Sequence, residues 1–279
     1  MTAPRTIDTG TEYVLARVEE RVATITLNRP ERRNAVSGEM LGALEIALDA
    51  AERADDVRAV VLTGAGGAFC AGGDVKGMDD AHRSAGERDA GPGIDAAIAA
   101  QRRNQRNTAG RIYTMPKPVV ASLPGAAAGA GLSIALACDL RIASENAVLT
   151  TAFARVGFSG DYGGTYFITQ LIGSAKAREL YFLSERIDAK EAERLGLVNW
   201  VVAADALEDQ TRALAQRLAS GPSVAYRYMK ENLNRAVGGG VMECLDLEAT
   251  HHVHTGRTHD HRAAARAFVE KRDPEFEGR

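Results

Sequence analysis

Three glycine-bearing stretches hold the residue types that could do chemistry in this sequence. In the first, Ala68-Phe-Cys-Ala-Gly-Gly-Asp74-Val-Lys, Gly72 and Gly73 leave main-chain N–H groups free to point at an anion or a polarised carbonyl. A tight turn is the plainer account of a lone Gly-Gly pair. The run just before it fails as a dinucleotide fingerprint, because Phe69 stands where a third glycine belongs. In the second stretch, Pro124-Gly-Ala-Ala-Ala-Gly-Ala-Gly131-Leu-Ser, a helix opens after a strand. The first N–H groups of a helix carry partial positive charge, so Ala130 could donate to a developing oxyanion, although close packing of small residues also suits the composition. Together the two turns describe a pair of converging backbone donors, the geometry of an oxyanion hole. The third stretch, Val156-Gly-Phe-Ser-Gly-Asp161-Tyr-Gly-Gly164-Thr, carries a carboxylate ahead of an apolar helix with Tyr166, Phe167 and Leu171. Taken alone, Asp161 reads as a helix cap. In apolar surroundings that raise a carboxyl pKa it could instead move a proton.

The elements that must position these groups are legible in the hydrophobic pattern. Tyr13–Glu19 and Val22–Leu27 alternate as two strands about a short turn, and Pro30 with the charged run to Arg33 ends the pair. Ser37 is placed to cap an amphipathic helix with Met40, Leu41, Leu44, Leu48 and Ala51 on one face. Ala59–Thr63 is a buried strand leading into the first glycine turn. The order then recurs: Pro118–Leu123 as strand, Gly129–Cys138 as helix, Asp139–Ala143 as strand. This alternation predicts an α/β architecture wound in repeated turns. From Asp188, where Asp188 and Glu191 have capping-box spacing, the chain turns helical. Val198–Val202 is one more strand, and helices are expected over 205–220, 222–236, 241–254 and 260–271. Asp79–Asp95 carries Ile94 as its one large aliphatic residue and is expected to be a surface loop or lid. Asp139 and Arg141 read as structural pairing near the core.

Composition excludes several classes. The 279 residues are 45% hydrophobic and 25% charged, with 34 basic and 37 acidic side chains for a formal charge of −3. That is neither a disordered chain nor one with a global basic field for nucleic acid or anionic lipid. No apolar run reaches a membrane span, since Val119–Cys138 is broken by Pro124, Gly125, Gly129 and Gly131. Three cysteines without CxxC spacing and no signal-peptide layout predict a cytoplasmic protein. Five of the six histidines fall between His251 and His261, but no Cys or acidic residue completes a ligand set there, so no metal is expected.

In this order and spacing the three motifs resemble the crotonase superfamily, the enoyl-CoA hydratase/isomerase family. The likeness covers residues 12–277 and is supported by Asn28-Arg-Pro-Glu-Arg-Arg-Asn-Ala35, Leu195-Gly-Leu-Val-Asn and Ala267-Phe-Val-Glu-Lys-Arg272. The resemblance implies an α/β spiral of ββα turns (residues 1–204) holding an acyl-CoA site, followed by a helical trimerisation region (205–279). It also implies homotrimers that often pair to hexamers. The substrate is an acyl-CoA thioester, and no cofactor is needed beyond the coenzyme A that enters with it. By position, the carbonyl is held by the N–H groups of Gly73 and Ala130. Ala71, Gly73 and Val75 fall around the adenine, Arg29 and Lys76 near the phosphates. Phe268 and Lys271 fall at contacts made by the last helix, often that of an adjacent subunit.

The departures from that pattern bear on activity. The family's hydratases hold a water between two glutamates, and Ser133 and Phe153 occupy those two places here. Asp161 falls where the isomerase branches keep their acid/base. Dienoyl-CoA isomerases add a glutamate at the Phe153 place, and the ring-epoxide isomerase of phenylacetate breakdown does without it. The implied activity is therefore isomerisation of an enoyl-CoA double bond or a ring epoxide, with Asp161 as acid/base. A 2-enoyl-CoA hydratase using another carboxylate and a non-catalytic CoA-ester-binding scaffold are the alternatives. Acyl preference would depend on Met78, Phe153, Phe158 and Tyr162.

Overall fold

The computed structural model describes residues 3–77 and 93–279. In β2 (Val14–Glu19), Val14, Ala16 and Val18 are buried while Leu15, Arg17 and Glu19 face solvent, as a half-buried strand requires. β3 (Val22–Leu27) pairs with it antiparallel, Val14 opposite Leu27. A short strand, β1 (Arg5–Ile7), adds an edge that the sequence reading did not include. Helix α1 (Gly38–Arg53) begins where the Ser37 hydroxyl accepts the Met40 N–H at 3.2 Å, and it buries Met40, Leu44, Leu48 and Ala51. β4 (Ala59–Gly64), β5 (Val119–Leu123), β7 (Leu140–Ser144) and β10 (Trp200–Val202) then extend the sheet in parallel, giving the order β1-β2-β3-β4-β5-β7-β10. Between them lie α2 (Ile94–Gln105), β6 (Ala127–Ala128), α3 (Ala130–Ala137), β8 (Val148–Thr150), α4 (Gly164–Leu183), β9 (Ile187–Asp188) and α5 (Ala189–Arg194). β6, β8 and β9 form a second, three-stranded sheet.

Each face of the large sheet has its own cover. Ile25, Leu62, Ala121 and Leu123 join α1 and α3 in the main core. Val61, Val120 and Ile142 on the other face pack against Leu207, Ala215 and Ala219 of α6 (Leu207–Ala219). α7 (Ser223–Ala236), α8 (Val241–Gly256) and α9 (His259–Val269) complete the chain close to the expected bounds. Most of the expected lid, residues 79–92, lies outside the described residues. The last three residues of that stretch differ from the expectation: Gly93 caps α2, and Ile94 and Asp95 form its first turn, where an acidic side chain complements the helix dipole. Among the described residues no helix is long and apolar enough to cross a membrane.

Asp139 and Arg141 are structural, though with partners other than each other. Arg141 donates to the carbonyls of Leu197 and Cys138. Asp139 accepts the Val119 N–H at 2.7 Å and the Lys230 ammonium at 2.8 Å, and Lys230 also donates to the Ile112 carbonyl. This buried pair ties α7 to the sheet. Replacing Lys230 by methionine strands the Asp139 carboxylate, so a loss of about 3 kcal/mol of stability is expected in urea unfolding. A change below about 0.5 kcal/mol would show the pair to be incidental.

Candidate active site

The first glycine turn grows out of β4 and is pinned from two sides. The Ala71 N–H donates to the Arg33 carbonyl, and the Val36 N–H donates to the Gly72 carbonyl at 2.7 Å. Gly72 takes φ +92°, a conformation that side chains resist. A Cβ on it would lie 2.8 Å from the Ala128 carbonyl and 3.5 Å from the Ala130 nitrogen, so this turn and the start of α3 approach each other through glycine alone. Gly131 has the same role toward Cys70, whose carbonyl would be 2.4 Å from an added Cβ. The two turns that the sequence suggested would converge do meet.

Among the described residues the amides at that junction have no acceptor. Ala130 is the first residue of α3, and its N–H has no intrahelical partner by construction. The Gly73 N–H likewise donates to nothing among the described residues, whereas the Asp74 and Val75 N–H groups are taken by Val36 and Gly73 carbonyls. Two unpartnered main-chain donors at one junction suit an anionic oxygen.

Asp161 lies on the loop preceding α4. It does not cap that helix with its side chain: Gly163 is the N-cap, and the Gly164 N–H is accepted by the Asp161 main-chain carbonyl instead. The Oδ1 atom is buried and, among the described residues, has no hydrogen-bond partner. Burial raises the carboxyl pKa to about 6, because a carboxylate loses hydration there and gains no compensating bond. Its charge is felt by Cys70, whose thiol burial pushes up to about 12, and by Tyr162 and Tyr181. The carboxyl therefore stands on the same side of the fold as the first glycine turn.

The two positions where the family's hydratases would carry glutamate are both filled otherwise. Ser133 is buried one helical turn into α3 and donates to the Gly129 carbonyl at 3.2 Å. Phe153 is buried and stacks on Tyr181, with ring centroids 5.7 Å apart and planes 18° apart. Tyr162 is buried as well, Phe158 is exposed, and Met78 lies outside the described residues. Tyr181 was not singled out from the sequence. It sits near the end of α4, beyond a break in the helix at Gly173 (φ +76°, ψ 162°), between Leu180 and Phe182, and no motif marks it.

The basic residues are less uniform than the sequence suggested. Arg29 is mostly buried and already engaged: it donates to the Ala35 carbonyl and pairs with Asp74 at 3.2 Å, beside the Tyr13 ring. Asp74, held below the usual carboxylate range by the Gly77 N–H and by Arg29, thus offsets the Arg29 charge at that place. Val75 and Lys76 are exposed. Phe268 is 85% exposed, and neither it nor Lys271 has a hydrogen bond or ion pair with the glycine turn among the described residues. In the histidine run, His251 shares a 2.6 Å hydrogen bond with Asn232 and stacks on Tyr228.

Glycine turns at the carboxyl ends of parallel strands, amides unpartnered among the described residues and a desolvated carboxyl thus occur together in one α/β fold. Residues 17–279 match the family described as enoyl-CoA hydratase/isomerase. The 1,2-epoxyphenylacetyl-CoA isomerase of Escherichia coli is 36% identical over 96% of this chain and 99% of its own. The short-chain-enoyl-CoA hydratase of Clostridium acetobutylicum is 32% identical over 93% and 95%. Among solved structures, an enoyl-CoA hydratase from Polaromonas sp. superposes with a TM-score of 0.86 at 35% identity, covering 95% of this chain and 99% of that one. The chain belongs to the enoyl-CoA hydratase/isomerase family and is an enzyme of that family.

Proposed function

We propose that the enzyme isomerises an acyl-CoA thioester, moving a double bond along the acyl chain or opening a ring epoxide, with Asp161 as acid/base. The observation that carries this reading is the pairing of a desolvated Asp161, whose Oδ1 has no partner among the described residues, with Ser133 and Phe153 at the two places where hydration would want carboxylates. For a 3-enoyl ester the steps balance with one group. The thioester oxygen accepts from the Gly73 and Ala130 N–H groups. Asp161 takes a proton from C2, and the electron pair delocalises onto that oxygen and over C2–C4. The protonated carboxyl then returns the proton at C4, leaving the double bond between C2 and C3. A donor of this kind contributes about 3–4 kcal/mol in the transition state. Ala71, Gly73 and Val75 are assigned to the adenine end of the coenzyme, Arg29 and Lys76 to its phosphates, and Phe268 and Lys271 to contacts from a neighbouring subunit.

The deciding assay is turnover of a panel of 2-enoyl-, 3-enoyl- and arylacetyl-CoA esters. Formation of the 2-enoyl ester from the 3-enoyl ester, or turnover of the aryl epoxide, is the expected result. Fast hydration of crotonyl-CoA would install the hydratase reading, and tight binding without turnover the scaffold reading. A homotrimer is proposed from the apolar side chains left on α7 and α8: Met229, Leu233, Val241 and Met242 are each more than half exposed. Light scattering is expected to give three copies, or six. Leu233→Glu together with Met242→Glu should yield monomer, and an unchanged mass would remove that face from the assembly.

A further inference from the structure

The loop that carries Asp161 and the helix that presents the Ala130 amide meet at one point, and a residue from neither stretch stands there. A Cβ on Gly164 would lie 2.2 Å from Ser133 Oγ and 2.6 Å from the Tyr181 hydroxyl oxygen, so both hydroxyls converge on the first residue of α4. A Cβ on Gly160, which has φ +121°, would lie 3.2 Å from the Tyr181 ring and 3.6 Å from its hydroxyl. Tyr181 therefore stands against the Asp161 loop on both sides of the carboxyl, while Ser133, whose own hydroxyl donates to the Gly129 carbonyl, belongs to α3 and reaches the same glycine.

We propose that Tyr181 is a positioning residue which, together with Ser133, fixes the Asp161 loop against the helix that carries the Ala130 amide. The inference rests on the reading of Asp161 as the acid/base. Tyr181 is itself held firmly. The Thr151 hydroxyl donates to the Leu180 carbonyl at 2.7 Å, the Ser184 N–H donates to that same carbonyl, and Phe153 stacks on the ring. Burial, helped by the Asp161 charge, keeps the phenol protonated, so it does not act as a second base. The glycines at 160 and 164 fit this assignment, since any side chain there would wedge the loop away from the hydroxyls. A plain core tyrosine would need only its ring. A device that sets the distance between base and oxyanion donors needs the oxygen, because proton transfer is sensitive to misplacement of about 1 Å.

The test uses Tyr181→Phe, Ser133→Ala and the double variant, with Asp161→Asn as reference. It has two readouts: isomerisation of 3-hexenoyl-CoA, and a carbon-13 carboxyl titration in which Asp161 is recognised by its absence from Asp161→Asn. Tyr181→Phe keeps the ring. It is expected to lower kcat about 10- to 100-fold with KM within twofold, and to let water reach Oδ1, so the Asp161 pKa falls from about 6 toward the ordinary carboxylate range. Ser133→Ala should do the same, and the double variant should add nothing further. The inference is overturned by a Tyr181→Phe enzyme with unaltered kcat and Asp161 titration, or by effects that multiply in the double variant. Turnover retained by Asp161→Asn, or a wild-type enzyme inert toward the ester, would sink the acid/base reading instead. The titration then decides the positioning role by itself.

Discussion

Asp161→Asn is expected to lose isomerisation of a 3-enoyl-CoA by at least about 10³-fold while the Kd for the ester stays within about twofold. The amide matches the carboxylate in size but cannot accept a proton, and general bases of this kind contribute about 10²–10⁴. The two places where other family members carry a second carboxylate hold Ser133 and Phe153, neither of which can take the proton in its stead. The wild-type pH profile follows from the same desolvation. With the carboxyl pKa raised to about 6, kcat/KM should climb through that pH and level off above it, as the ionised base becomes the resting form.

Stability should move the other way. A carboxyl whose folded pKa lies above its unfolded value favours the fold below the unfolded pKa, and that contribution disappears as pH rises through the folded value. Wild type therefore bears the cost of a desolvated charge at pH 7, which the asparagine variant avoids. Asp161→Asn is expected to be more stable by about 1–2 kcal/mol at pH 7, with the advantage vanishing by about pH 4. Equal stability across that range, or full activity in the variant, would remove the strained carboxylate from the account.

The second large effect is expected from Ala130→Pro. Proline suits the first position of a helix, since its missing N–H has no intrahelical acceptor there and its φ matches the helix. Gly129 ahead of it has φ +50° and ψ −124° and carries no side chain to meet the ring. The substitution therefore spares α3 and removes one donor from the junction with Gly73, leaving ring carbons in its place. A loss of about 10²–10³ in kcat is expected, with the melting temperature within a few degrees of wild type. Wild-type turnover in this variant would show that the Ala130 amide does not face the reacting oxygen. A collapsed melting temperature would leave Ala130→Gly as the control, which keeps the N–H and should keep most activity.

Much of this was readable from local pattern. The alternation of Val14, Ala16 and Val18, the Ser37 cap and the stripe Met40, Leu44, Leu48 are short-range signals, and each element formed where its signal lay. The glycines at 72 and 131 announced close approaches, since glycine has no Cβ to forbid them. Strand β1 was invisible because Arg5-Thr-Ile is too short to alternate and exists by pairing with Ala16–Val18. The start of α2 was absorbed into a loop because Ile94 is left exposed, so its apolar signal buries nothing at that end.

What the sequence alone determined is the inventory: two turns able to bare main-chain amides, one carboxylate ahead of α4, and no glutamate at 133 or 153. Local chemistry suffices for that, because each item depends on residue type and on neighbours a few positions away. Only the tertiary structure decided which groups are spent and which are free. Arg29 is half neutralised by Asp74, 45 residues on, while Asp161 is partly desolvated and its Oδ1 has no hydrogen-bond partner among the described residues. The Tyr181 hydroxyl is brought to Gly160, Gly164 and Ser133 from the far end of a helix. Desolvation and pairing depend on everything that packs around a group, and a linear pattern carries no record of neighbours that arrive from distant parts of the chain.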